Sequence, residues 1–248
     1  MEKGEGSPLL NVLQGLRKKL VSCAVAIGVG FVICYIFSET LFRALARPLH
    51  LELASDSSLI YTGLPEMFFN YIKIAFVGGL LLAAPFILYQ MWMLAAPALN
   101  ERQKRLVLPF VICSSLLFVG GGLFAYFVAF PLGFKFFLGF ESDYLQALPS
   151  VKQYLSFSIK LLFVFGIVFE FPVLAFFLTK AGVVTPELLK KNRTYGMFLI
   201  FVIAAVLTPP DIISQVMLAI PLLLLYEVGI LVSRVAEGKK KKGVSEEG

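Results

Sequence analysis

Charge is scarce in this chain: Asp, Glu, Lys and Arg make up 15% of 248 residues, where a soluble domain carries about a quarter. Histidine is scarcer still, with His50 alone. One histidine leaves no His-based metal cluster and no serine–histidine hydrolase pair. The three cysteines, Cys23, Cys34 and Cys113, are an odd number, sit inside apolar runs and form no C-x-x-C spacing. Neither a disulfide framework nor a zinc site is indicated. What the chain has instead is apolar residues, 58% of the total, with a mean hydropathy of +0.85. They gather in runs long enough to cross a bilayer, which makes the chain a polytopic membrane protein. The net charge of +6 is no nucleic-acid signal, because the basic residues flank apolar runs instead of lining one stripe.

Six spans are expected, at 20–37, 74–96, 106–130, 161–179 (with a start near Tyr154 as the alternative), 195–207 and 212–232. All should be helices, since hydrocarbon demands internally satisfied backbone groups. Arg17-Lys18-Lys19 before the first run imitates a secretory signal. The run that follows exceeds the roughly 7–15 residues of a signal core, so a retained span is the better reading. With the N-terminus inside, one compartment receives Lys3, Arg17–Lys19, Arg102, Lys104, Arg105, Lys180, Lys190, Lys191, Arg193, Arg234 and Lys239–Lys242. The other receives only Arg43, Arg47, Lys73, Lys135, Lys152 and Lys160. The positive-inside rule then puts both termini in the cytoplasm. Residues 1–234 read as one six-span domain and 235–248 as a basic and acidic tail, disordered or lipid-facing. In the first outer loop an interfacial helix is expected over 39–46, stopped by Pro48. Pro85, Pro172 and Pro221 each remove a backbone bond inside a span and allow it to bend. The fifth span has about 13 apolar residues, some 20 Å of helix, short of a ~30 Å hydrocarbon core.

Five polar groups stand out against this background. Glu170 is the one carboxyl in the run 161–178. An ionisable group in mid-span marks either a joint between bent helices or a polar spot on a lipid-facing or cavity-facing wall that receives a partner. Asp211 and Gln215 share a helix face, and Asp211 after Pro209-Pro210 is a good N-cap. Thr208 precedes that turn. Glu227, seven residues before Arg234, reads as structural. On the cytoplasmic side, the stretch 8–20 repeats Leu9, Val12, Leu16 and Leu20 at helical spacing and should lie against the inner leaflet. The basic loop APALNERQKR (96–105) is its neighbour and reads as an orientation signal or a peptide-contact surface.

At APFILYQMW (84–92), APAL with RLVLP (96–109), SSLLFVGGGLFAYFVAFPL (114–132), FGIVFEFPV (165–173), LTPPDIISQ (207–215) and LAIPLLLLYE (218–227), the sequence resembles the TatC family. These are the multi-span receptor subunits of the twin-arginine protein translocase. The resemblance runs from Pro8 to Arg234. It implies an all-α membrane protein, a bent six-helix bundle with a concave face, that exports folded proteins using the proton-motive force. No catalytic chemistry, cofactor or metal is implied. The implied partners are twin-arginine signal peptides, single-span subunits of the same pathway, the lipid bilayer and further copies of the chain. The implied place is the inner membrane of a prokaryote. By the same resemblance, Leu16, Arg17, Pro97, Leu99, Glu101, Gln103 and Arg105 form the signal-peptide surface. Glu170, Thr208, Asp211 and Gln215 form the intramembrane polar set, and Pro48 and Phe68 belong to the outer cap.

Two positions depart from the family pattern. Where the family usually has H-L-x-E-L-R, the chain reads Val12-Leu13-Gln14-Gly15-Leu16-Arg17, and the family's loop glutamate aligns with Gln103. A bidentate arginine contact needs an anionic partner, and Gly15 offers only backbone. Glu101, two residues from Gln103, is the carboxylate that a rotated loop would present. A diverged paralogue with altered signal recognition is therefore the alternative within the family. A small-solute secondary transporter is the alternative outside it, but it should show symmetric halves, and none is found.

Overall fold

The computed structural model describes residues 8–52, 59–61, 63–95, 107–139, 148–208 and 211–245. Ten α-helices and one π-helical turn carry this part of the chain. They are α1 (Pro8–Ile36), α2 (Ser38–Glu52), α3 (Glu66–Ala95), α4 (Val107–Phe124), the π-helical turn Ala125–Ala129 and α5 (Phe130–Leu138). There follow α6 (Val151–Phe169), α7 (Phe171–Ala181), α8 (Pro186–Lys191), α9 (Arg193–Leu207) and α10 (Ile212–Ser245). Among the described residues the only β-pairing is an isolated parallel bridge between Ile60 and Ser150. Five helical stretches are long and apolar enough to cross a membrane: Gln14–Ile36, Glu66–Leu94, Leu108–Leu138, Val151–Ala181 and Ile212–Gly238. The apolar helix Arg193–Leu207 is shorter.

Several expected boundaries move, most of them toward longer helices. The fourth stretch begins at Val151, close to the earlier of the two expected starts, and the third runs on to Leu138. Lys135, Lys152 and Lys160 do not stop them, because lysine is a good helix former; its charge limits hydrocarbon, not backbone. The stretch 8–20 is no separate surface helix but the beginning of α1. The tail from 235 is likewise helical as far as Ser245, where lysines both favour helix and suit the negative end of the dipole. Pro85 and Pro221 lie inside continuous helices; only at Pro172 does a helix divide in two.

The chain forms two compact units. The first comprises residues 1–42 and 71–115. In it α1 and α3 cross at glycine: a Cβ on Gly79 would stand 2.4 Å from the backbone N of Phe31, and one on Gly30 would stand 2.6 Å from the carbonyl O of Gly79. Backbone meets backbone there, the close approach that small residues permit in membrane helices. Trp92 stacks on Phe110 at 5.5 Å and donates its indole N–H to Ser114 Oγ at 3.1 Å. That bond satisfies two buried polar groups at once.

The second unit comprises residues 43–70 and 116–248. Gly121 lies against the backbone of Phe165, 2.5 Å from its carbonyl O to an added Cβ, so α4 and α6 also touch through a glycine. Pro48 does not end α2, which continues to Glu52. A proline inside a helix leaves the carbonyl four residues earlier without its donor, here that of Ala44. Tyr126 Oη supplies the donor at 2.7 Å, and Tyr154 Oη donates to Leu45 O. The π-helical turn that carries Tyr126 precedes Pro131, whose ring and missing N–H disfavour a regular turn. Tyr126→Phe should therefore cost about 1 kcal/mol in the native chain and clearly less in a Pro48→Ala background, where the restored amide takes the Ala44 carbonyl. A double-mutant cycle on thermal unfolding measures the coupling; equal cost in both backgrounds would show that the hydroxyl does not replace the lost amide.

Candidate functional site

Glu170 sits at the joint between α6 and α7. Its amide bonds back to Ile167 O at 3.1 Å, and its carbonyl accepts from Leu174 N at 2.9 Å. Between them Pro172 has no amide to offer Val168, so the helix ends and restarts. The interruption is confined to Glu170, which keeps helical backbone angles, so the stretch from Val151 to Ala181 still reads as one helical span. Glu170 is buried, 7% exposed.

Beyond the joint, α7 is clasped by α10. The Phe171 ring stacks on Tyr226 at 5.2 Å and fills the space over Gly229, where an added Cβ would come within 2.3 Å of it. Thr179 Oγ1 and Ser233 Oγ share a hydrogen bond of 2.6 Å. Tyr226 Oη donates to Leu189 O at 2.9 Å. Glu227 pairs with Arg193 at 2.7 Å, a partner from another helix. Gly182 closes α7 with φ 81°, a left-handed conformation that glycine adopts without strain.

The other polar residues gather at the turn between α9 and α10. Thr208 ends α9, its Oγ1 donating to Ala204 O at 2.9 Å. Asp211 caps α10: Oδ1 accepts from Ser214 N at 2.7 Å, and Oδ2 accepts from Ser214 Oγ. The Ser214 hydroxyl first, and its amide second, hold the Asp211 carboxyl below its ordinary range. Gln215 Nε2 donates to Phe201 O at 3.1 Å, tying α10 to α9. Thr208 and Ser214 line a cavity of about 40 Å³ with Leu161, Phe165, Met217 and Pro221. Glu170 is not on that lining. Thr208, Asp211, Ser214 and Gln215 thus flank the turn between α9 and α10, and Glu170 lies at the joint of α6 and α7.

Toward the other chain regions, Leu16 is half-buried and Arg17 exposed on α1. A Cβ on Gly15 meets nothing within 4 Å. Pro97, Leu99, Glu101, Gln103 and Arg105 lie outside the described residues. Pro48 is buried in α2, and Phe68 is exposed in the first turn of α3, edge-on to Phe69 at 5.7 Å. Sequence reasoning passed over Tyr126, Tyr154 and Glu66, because each reaches a backbone atom more than eighty residues away.

Residues 11–221 match the family model described as the Sec-independent protein translocase protein TatC. The chain belongs to the TatC family. TatC of Desulforapulum autotrophicum is 48% identical over 243 residues, covering 98% of this chain and 90% of that protein. TatC of Escherichia coli strain K12 is 41% identical over 239 residues, covering 96% and 93%. A crystal structure of the twin-arginine translocase receptor TatC superposes with a TM-score of 0.82 at 42% identity, covering 91% of this chain and 99% of that one. The resemblance read from the colinear motifs is thereby established, together with the all-helical fold. TatC proteins are translocase subunits with several membrane-spanning helices, not enzymes.

Proposed function

We propose that this chain is the receptor and scaffold of a twin-arginine translocase in a prokaryotic inner membrane. It crosses six times with both termini in the cytoplasm, the short α9 serving as the fifth crossing. It binds signal peptides at its cytoplasmic face through the start of α1 and the 96–105 loop, and assembles with single-span subunits and further copies of itself. The proton-motive force drives export. The reading rests chiefly on the match to a crystallised TatC receptor over 91% of the chain, supported by the distribution of lysine and arginine.

Gly15 and Gln103 favour a second reading, a diverged paralogue with altered signal recognition, because neither supplies a carboxylate to an arginine pair. Binding of a twin-arginine signal peptide and its twin-lysine variant to the purified protein separates the two. The receptor reading expects preference for arginine; equal, weak binding of both peptides selects the paralogue. Open space around Gly15 allows Gly15→Glu without a clash. Gly15→Glu with Gln103→Glu should tighten arginine-peptide binding by about tenfold or more, the worth of one charge-assisted hydrogen bond. No gain would place recognition elsewhere.

A further inference from the structure

The start of α6 is held by residues that are not its own. Ser150 occupies the N-cap position, a role its hydroxyl suits, yet its side chain makes no capping bond. The first two amides of the helix turn instead to another segment: Val151 N donates to Ile60 O at 2.9 Å, and Lys152 N donates to Glu66 Oε1 at 3.1 Å. Ile60 N returns a bond to Pro149 O at 3.1 Å. Glu66 is also the first residue of α3, and its Oε2 faces Gly63 N at 3.4 Å. One carboxylate thus stands at the N-terminal ends of two helices, where both dipoles favour negative charge.

From this anchor α6 runs without interruption to Phe169 and ends at Glu170. A helix is stiff along its axis, so whatever fixes its first turn also fixes its last. A slip of one residue would move the joint by about 1.5 Å and turn it by about 100°. We infer that Glu66 is a positioning residue for translocation: it sets the height and rotation of α6, and through α6 the placement of Glu170. The value of Glu170 to partner binding rests on the proposed function; the positioning itself does not.

The test uses the full-length chain in membranes with its single-span subunits, comparing native protein, Glu66→Gln, Glu66→Ala, and Glu66→Ala with Ser150→Asp. The aspartate introduced by Ser150→Asp gives α6 a local cap but cannot restore the tie to α3. Spin labels on cysteines at positions 160 and 224, both exposed, report the placement of α6 against α10 in a background free of other cysteines. Glu66→Ala should shift that distance by about 2 Å or more and lower transport about tenfold, the size of one lost charge-assisted hydrogen bond. Glu66→Gln, which keeps an acceptor oxygen, should fall between. Ser150→Asp should recover thermal stability but neither the distance nor transport. An unchanged label distance in Glu66→Ala overturns the inference, as does recovery of transport by Ser150→Asp. Signal-peptide binding by the native chain is measured alongside; its loss there would count against the receptor reading alone.

Discussion

Gly79→Val is expected to prevent the folded protein from accumulating. A side chain at this position would enter space already held by the backbone of Phe31 and Gly30, at 2.4 and 2.7 Å. Backbone cannot rotate out of the way as a side chain can, so α1 and α3 would have to separate. Overpacking of this kind costs about 1–3 kcal/mol where side chains can yield and more where they cannot. In a membrane the loss is not cushioned by a hydrophobic drive between helices, because lipid tails are as apolar as the side chains. Gly28 and Gly120 provide controls within the same helices and their neighbours, since an added Cβ there meets nothing within 4 Å. Alanine at either should leave stability unchanged or raise it by up to about 1 kcal/mol. Fluorescence-detected size exclusion with a thermal ramp reads all three; a Gly79→Val protein as stable as the native chain would mean that the helices do not cross here.

The second large effect concerns Glu170. Glu170→Ala should still insert and accumulate, because α6 and α7 are held on either side by Gly121 against Phe165 and by the Phe171–Tyr226 stack. Crosslinking to the single-span subunits should fall about tenfold, in line with loss of a hydrogen bond to a charged or strongly polar group. Glu170→Gln, of the same size and still able to accept, should fall less. Unchanged crosslinking combined with a lowered melting temperature would assign Glu170 to the joint alone. The buried position makes both outcomes informative: the carboxyl can meet a partner only where the α6–α7 joint opens onto it.

The membrane class, the helical fold and the family were legible because they depend on features that repeat along the chain. Long apolar runs, flanking lysines and colinear motifs each report on the solvent a segment faces, and no folded partner is needed to read them. Asp211 as an N-cap was legible for a similar reason, since a cap needs only the next three residues. Helix ends were less so. Pro48 and Lys160 look like stops locally, yet Tyr126 replaces the amide that Pro48 lacks, and lysine limits the lipid-facing surface without ending the backbone.

The sequence by itself determined that this is an oily, multi-helical TatC protein with a carboxyl at position 170 and a capped turn after Thr208. Only the tertiary structure decided that Glu170 is buried at the joint of two helices, that Gly30 and Gly79 touch while Gly28 and Gly120 do not, and that Glu66 caps a helix that begins eighty-five residues later, at Val151. The reason is physical. Local patterns record each residue's preference for lipid, water or helix, whereas burial, close approach and a cap supplied from afar belong to pairs of segments and exist only once the chain has brought them together.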